Sequence, residues 1–252
     1  MHFLLTNDDG VHYPGLLALK QALEPLAKIT VIAPSRNYSA AGHRKTMHKP
    51  LRIDSTHLAD GSLAWACSGA PSDSVAMALL GFIKEPVDAV IAGINPNANL
   101  GEDVTYSGTV TAAFEAVLFG VPGIAISTEA GRPPNFEAAA QAARDLVPRL
   151  LQAGLGPRAL FSLNVPQHVK GVRVTRQGKR LYLDELVVRH DPRGRPYYWI
   201  GGEMPAGETT EEGTDVWAMA QGYISITPLQ LDLTAHTIRE QLAHRLDMPH
   251  AP

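Results

Sequence analysis

Short apolar runs alternate with amphipathic helical patterns through the first half of the chain. Phe3–Thr6 reads as a first strand. Pro14 suits the first turn of a helix, and Leu16, Leu19, Leu23 and Leu26 fall on one stripe of it. Ile29–Ala33 is a second buried strand, closed by Pro34 and followed by a long polar loop, Ser35–Pro50. The spacing then predicts a helix over Pro71–Ile83, with Val75, Ala78 and Leu79 inward, and a strand over Val87–Ala92. A second long loop, Gly93–Ser107, leads into a helix over Gly108–Phe119, with Phe114, Val117 and Leu118 on its core face. A strand over Gly123–Ser127 and a helix over Phe136–Gln152 complete the series. Alternation of this kind means parallel βαβ units, so the expected class is α/β, a mostly parallel sheet with helices on both faces.

The second half has a different rhythm. Ala159–Val165 and Val172–Thr175 look like further strands. Tyr182–Val188 and Pro196–Ile200 flank Asp191-Pro192-Arg193-Gly194, a turn signal, so a β-hairpin is expected near 182–200. Gly201–Gly213 reads as loop, Tyr223–Thr227 as a short strand and Leu233–Leu246 as a terminal helix. No linker separates the halves. Residues 1–252 are therefore expected to form one domain: a core over 1–130, then the remaining core elements, the hairpin and a C-terminal tail over 131–252.

Composition narrows the class. Hydrophobic residues make up 45% and charged residues 19%, as in ordinary soluble enzymes. A net charge of −3 argues against a DNA-coating surface but leaves room for a local phosphate site. The one cysteine, Cys67, excludes an internal disulfide and a Cys-rich zinc site, and suits a reducing compartment. With no signal-peptide pattern and no run approaching a membrane span, the expected location is the cytoplasm.

Chemistry is concentrated where the strands should end. In an open parallel sheet ligands bind outside the carboxyl ends of the strands, and Asn7–His12, Ser35–Thr46 and Gly93–Thr109 should converge there. Asp8 and Asp9 are adjacent. Two carboxylates about 5 Å apart repel by ~3 kcal/mol at an effective dielectric of about 20, and a hard divalent cation with oxygen ligands relieves that. The plainer alternative is a turn followed by a helix N-terminal acid. Ser39 offers a neutral oxygen, or caps a backbone group in its loop. Asn95, held extended by Pro96, should project its amide into the crevice, and Asn97 is placed in a left-handed position. Ser107-Gly108-Thr109 opens a helix, which makes either an anion site or a simple cap.

A cation facing an anion site suggests a phosphate bridging the two. The reaction that follows is hydrolysis of a phosphomonoester, the cation polarising a phosphoryl oxygen and lowering the pKa of water. Asp9 is a candidate to orient or deprotonate that water. A P-loop, a G-x-G-x-x-G turn and a G-x-S-x-G elbow are absent, and the adjacent acids do not match the D-x-D spacing of aspartyl-phosphate enzymes. His12 and His43 are candidates for a general acid or phosphate contact, or are surface residues. Trp65, Trp199 and Trp217 read as packing residues, or Trp199, on the hairpin, as an interface anchor, and Tyr106 as core or as a platform for a base.

Several segments carry a resemblance beyond these inferences. Leu5-Thr6-Asn7-Asp8-Asp9-Gly10-Val11, Ser39-Ala40-Ala41-Gly42-His43, Gly93-Ile94-Asn95 with Asn99-Leu100-Gly101, Tyr106-Ser107-Gly108-Thr109-Val110, Asp191-Pro192-Arg193-Gly194 and Gly213-Thr214-Asp215 together resemble the SurE family of nucleotidases. The resemblance spans nearly the whole chain. It implies a Rossmann-like sheet and a divalent-metal-dependent 5′/3′-nucleotidase acting on nucleoside monophosphates, with some activity on short polyphosphate. By matching positions it implies Asp8, Asp9, Ser39 and Asn95 as ligands of one Mg²⁺ or Mn²⁺ per subunit. Asn99, Ser107, Gly108 and Thr109 are implied as the phosphate site. It also implies a homodimer or homotetramer with an exchanged C-terminal tail. The chain departs from the usual pattern at Asn97, commonly glycine, and at Ser39–His43, where many members carry Ser-Gly-Ala-Ser-Asn. A non-catalytic nucleotide sensor on the same fold is the alternative that binding motifs alone leave open.

Overall fold

A computed structural model describes residues 1–131, 133–202 and 206–248. The elements in chain order are β1 (His2–Thr6), α1 (Pro14–Leu23), β2 (Lys28–Pro34), β3 (Ile53–His57), β4 (Leu63–Cys67) and α2 (Pro71–Met77). Then come β5 (Ala89–Asn95), α3 (Gly108–Leu118), β6 (Gly123–Thr128), α4 (Phe136–Gln152), β7 (Leu160–Val165) and β8 (Gly171–Val174). The remainder is β9 (Arg180–Leu181), β10 (Asp184–His190), β11 (Pro196–Gly202), β12 (Ala206–Gly207), α5 (Asp215–Ala220), β13 (Tyr223–Pro228) and α6 (His236–Leu246).

The main sheet runs β3-β4-β2-β1-β5-β6-β7-β13-β8. Its pairs are parallel except β3–β4 and β13–β7. The order turns back at β1, with β2 and β4 to one side and β5, β6 and β7 to the other. Such a switch point leaves a crevice at the carboxyl ends of the two strands that flank it, here β1 and β5. Leu16, Leu19 and Leu23 of α1 share a buried cluster with Ala139, Ala143 and Val147 of α4 and with Phe3 and Leu5 of β1. Leu4 points to the opposite face, where it packs with Val75 and Ala78 and with Ala112 and Ala116 of α3. Alternate residues of β1 thus feed two cores, as a strand covered on both faces requires.

Several expectations needed revision. α1 stops at Leu23 because Pro25 cannot continue it, so Leu26 packs on the core from a turn. The helix expected over Pro71–Ile83 ends at Met77 and passes into a π-type turn, Ala78–Phe82, with Gly81 at φ 121°. α3 rests on Val110, Ala113 and Val117, with Phe114 packed against them, while Leu118 is 54% exposed and lies off the core. Part of the Gly93–Ser107 loop is ordered, as the end of β5 and a 3₁₀ turn over Gly101–Thr105. β3, β4 and α5 fall in stretches with no predicted element. β3 is an edge strand without a buried residue, so it lacks the apolar alternation by which strands are recognised. The hairpin is present as β10–β11, its first strand shifted by two residues and its second starting at Pro196 as expected and running two residues longer, its turn closed by Gly194 N–H donating to Asp191 O at 2.9 Å. Of the loop expected over Gly201–Gly213, residues 203–205 lie outside the described residues, Gly201 and Gly202 end β11, and 206–207 form the short β12.

Candidate active site

Asp8 and Asp9 follow β1 in a turn locked by Asn7. The Asn7 side chain donates to Gly10 O at 3.0 Å and accepts from Gly10 N at 3.2 Å, closing a ring around the acid pair. Gly10 holds φ 109°, which a side chain would strain. Asp8 is 4% exposed and sits at the N-terminus of α3. Its carboxylate accepts from the Thr109 hydroxyl, and the Gly108 and Thr109 backbone amides favour its charged form. Gly108 makes that approach possible: a Cβ there would fall 2.7 Å from Asp8 Cβ and 2.9 Å from Oδ2. Burial pushes Asp8 above the usual carboxylate range, against the pull of these donors.

Asp9 differs. Its Oδ2 is buried with no hydrogen-bond partner. Burial, and then the charge of Asp8, push its carboxyl up to about 7. A buried acceptor left without a donor costs about 1–3 kcal/mol, so this oxygen is available to a ligand. Among the described residues no group of three or more His, Cys, Asp and Glu is placed to hold a metal ion. A cation at the Asp8–Asp9 pair must therefore complete its shell with neutral oxygens, which favours a hard ion over zinc.

Ser39 and Asn95 are the candidates for that role. Ser39 is exposed, and its backbone amide donates to Asn37 Oδ1 at 2.7 Å. The neighbouring Tyr38 amide donates to Asp8 O at 2.7 Å, which ties the second loop to the first. Asn95 ends β5, and its Nδ2 donates to Asn97 O at 2.5 Å. The cation-binding end of the amide, Oδ1, is the end left over. Asn97 is not left-handed: among the described non-glycine residues only Ala40 and Asp247 have positive φ, and the Asn95–Asn97 hydrogen bond shapes the loop instead.

The phosphate candidates are brought to the same end of the sheet, with part of their capacity in use. The Ser107 hydroxyl caps α3 by accepting from Val110 N at 3.1 Å, which leaves its own proton to donate. Thr109 spends its hydroxyl proton on Asp8. Asn99 is 8% exposed and is held in two ways. Asn164 brackets its backbone at 2.8 and 3.1 Å, and its Nδ2 donates to Ser127 Oγ at 2.8 Å. Asn164 lies in Asn164-Val165-Pro166, another segment that carries the family resemblance, but neither it nor Ser127 was given a role from the sequence, where nothing local marks a residue on β6 or β7 as a support for the loop after β5.

Of the histidines, His43 is bonded to the buried Glu115 at 2.8 Å, and His12 is exposed with Thr56 Oγ1 3.4 Å away. Tyr106 is 61% exposed and meets Tyr182 edge-on, so it is not a core residue. A cavity of about 890 Å³ borders His43, Thr105, Thr111, Phe114 and Leu118, and contains neither Asp8 nor Asp9 in its lining.

Comparison with known proteins places the chain among named relatives. The family model described as "Survival protein SurE" matches residues 3–184. A protein named 5′-nucleotidase SurE from Chloroflexus aggregans is 49% identical over 96% of this chain and 98% of its own length. One of the same name from Herpetosiphon aurantiacus is 50% identical over 93% and 94%. The crystal structure of SurE from Aquifex aeolicus superposes with a TM-score of 0.82 at 38% identity, covering 98% of this chain and all of that one. With the family model matching residues 3–184 and relatives 49% and 50% identical over nearly the whole chain, the chain belongs to the SurE family.

Proposed function

We propose that this protein hydrolyses nucleoside 5′-monophosphates to nucleoside and phosphate, using one Mg²⁺ or Mn²⁺ held by Asp8, Asp9, Ser39 and Asn95. The observation that carries this is the Asp9 Oδ2 atom, buried and unpartnered beside a second buried carboxylate at a sheet switch point. Relatives named 5′-nucleotidase support the substrate class. Activity on 3′-monophosphates and on short polyphosphate belongs to the same proposal.

A divalent cation bound there supplies Lewis-acid polarisation of a phosphoryl oxygen and cancels the charge of the acid pair. The chain's own residues do the rest. The Thr109 hydroxyl fixes Asp8 in one orientation. Ser107 directs its free proton, and Asn99 its second amide proton, toward the phosphoryl oxygens. Asp9 accepts a hydrogen bond from the attacking water and orients it. Water attacks phosphorus, the bond to the nucleoside oxygen breaks, and that oxygen leaves with a proton.

The protein is further proposed to act as a homodimer or homotetramer in the cytoplasm. Supporting the first point, Tyr198, Trp199 and Ile200 on β11 are 59%, 64% and 84% exposed. Helix α6 has no buried residue although Ile238, Leu242 and Leu246 repeat every fourth position along it. Supporting the second, the single cysteine is free and buried, and no helix among the described residues is long and apolar enough to cross a membrane.

Phosphate release from a panel of nucleoside monophosphates, after EDTA and then with added Mn²⁺ or Mg²⁺, tests the reading. Release only with the metal is expected. Turnover untouched by thorough chelation would remove the metal from the mechanism, and tight nucleotide binding without turnover would make the protein a sensor.

A further inference from the structure

The segment carrying Ser39 has no hydrophobic anchor. From Ser35 to Arg52 there is no helix or strand and no buried residue; His43 meets Phe114 edge-on, Lys45 lies over the Phe119 ring, and hydrogen bonds supply most of the remaining hold. Ala40, next to Ser39, holds φ 56°, a left-handed conformation that costs about 1–2 kcal/mol outside glycine. Such strain persists only where the surroundings over-determine the backbone.

The surroundings here are a set of fastenings on both sides of Ser39–Ala41. Upstream, Tyr38 N donates to Asp8 O at 2.7 Å and its hydroxyl to Ser68 O at 3.1 Å. Downstream, Gly42 N donates to Tyr106 O at 3.0 Å, and Thr111 Oγ1 donates to Gly42 O at 3.1 Å. Thr46 gives its amide and hydroxyl to Asp73 at 2.8 and 2.7 Å. The strongest fastening is charged. Glu115 is 2% exposed on α3, and its two oxygens accept from His43 Nε2 at 2.8 Å and from Lys45 Nζ at 3.1 Å. Charge-assisted bonds are about twice as strong as neutral ones, and a carboxylate this deeply buried depends on both donors.

Glu115 also shares a rigid element with Thr109. The helix that orients Asp8 through Thr109 at its start therefore holds the Ser39 segment through Glu115 two turns later. We infer that Glu115 is a positioning residue for the nucleotidase site: through His43 and Lys45 it keeps the 38–46 segment, and with it Ser39, in register with Asp8. This rests on the metal-dependent reading above. It gives His43 a structural duty in place of acid–base chemistry.

The test is Mn²⁺ affinity, measured by the paramagnetic resonance signal of free Mn²⁺, with kcat, KM and melting temperature alongside. Three variants are compared with wild type: Glu115→Gln, the double variant His43→Ala/Lys45→Ala, and His43→Gln/Lys45→Arg, which keeps both donors. The first two should weaken Mn²⁺ binding by about 10- to 100-fold, the usual range for groups that orient metal ligands. They should also lower kcat in protein that remains folded at the assay temperature. The donor-keeping variant should recover most of both. A merely structural role would lower the melting temperature and leave Mn²⁺ affinity alone. If Glu115→Gln does not fold, the double variant, altered only at exposed residues, decides. Wild-type affinity in the double variant overturns the role of Glu115 alone. A wild type that neither binds Mn²⁺ nor releases phosphate overturns the nucleotidase reading, and this inference with it.

Discussion

Replacing Asp9 with Asn should stabilise the metal-free protein, and by an amount that depends on pH. Burial, then the charge of Asp8, raise the Asp9 carboxyl from 3.8 to about 7. A carboxyl whose folded value lies above its unfolded one binds more protons when the chain is folded. Its contribution is therefore fully present below the unfolded value and is lost as pH climbs toward about 7. Roughly three pH units at about 1.36 kcal/mol each give an upper limit of ~4 kcal/mol. Asp9 is only partly buried, and screening by solvent reduces that to about 2 kcal/mol. Asn is close to Asp in size and carries no such dependence.

In EDTA, wild type should thus lose about 2 kcal/mol relative to Asp9→Asn between pH 4 and pH 8, a difference of roughly 4–8 °C in melting temperature for a chain of this length. Thermal unfolding at the two pH values, with both proteins in the same buffers, reads it directly. Added Mn²⁺ should reverse the order at pH 8, because mass action stabilises the protein that binds the ion more tightly. Melting temperatures that move in parallel with pH in EDTA would refute the argument. They would mean that Asp9 is ionised at no cost, and that its unpartnered oxygen does not await a cation.

Gly108→Ala should be costly to activity and mild for stability. The new Cβ falls 2.7 Å from Asp8 Cβ, so the carboxylate must shift, and a misplacement of about 1 Å can cost ~100-fold in rate. Steady-state kinetics with near-normal kcat/KM would show that Asp8 need not sit against α3. Deleting the β10–β11 hairpin should give a smaller species by light scattering, since its exposed Tyr198, Trp199 and Ile200 would no longer be available to bind a second copy. An unchanged mass would leave the assembly to other surfaces.

The parts of this structure that were legible in the sequence are those written in local pattern. β1, α1 and α4 follow from apolar periodicity and caps, and α4 spans Phe136–Gln152 as its pattern requires. The failures are equally physical. Periodicity overweights large residues, so it put Leu118 on the core face of α3 where Ala113 and Ala116 do the packing. It also passed over β3, an edge strand whose residues have no reason to alternate. Tyr106 looked like core because aromatic residues usually are, and it is exposed beside the site.

The site divides along the same line. Asp8 and Asp9 stand out because two adjacent carboxylates fall where the first strand ends. What makes them a site is not adjacent to them at all: Thr109 reaches Asp8 across 101 residues, and Asn164 holds Asn99 across 65. Each ligand-bearing loop is thus positioned by a polar group on a distant strand or helix. Those groups are ordinary in type, a serine, an asparagine, a buried glutamate, and no spacing rule connects them to what they hold. Sequence reasoning therefore finds the atoms that would touch a ligand more readily than the atoms that aim them. The aiming atoms set the geometry of reaction, so loss of rate without loss of fold is to be sought first at Glu115, Asn164 and Ser127.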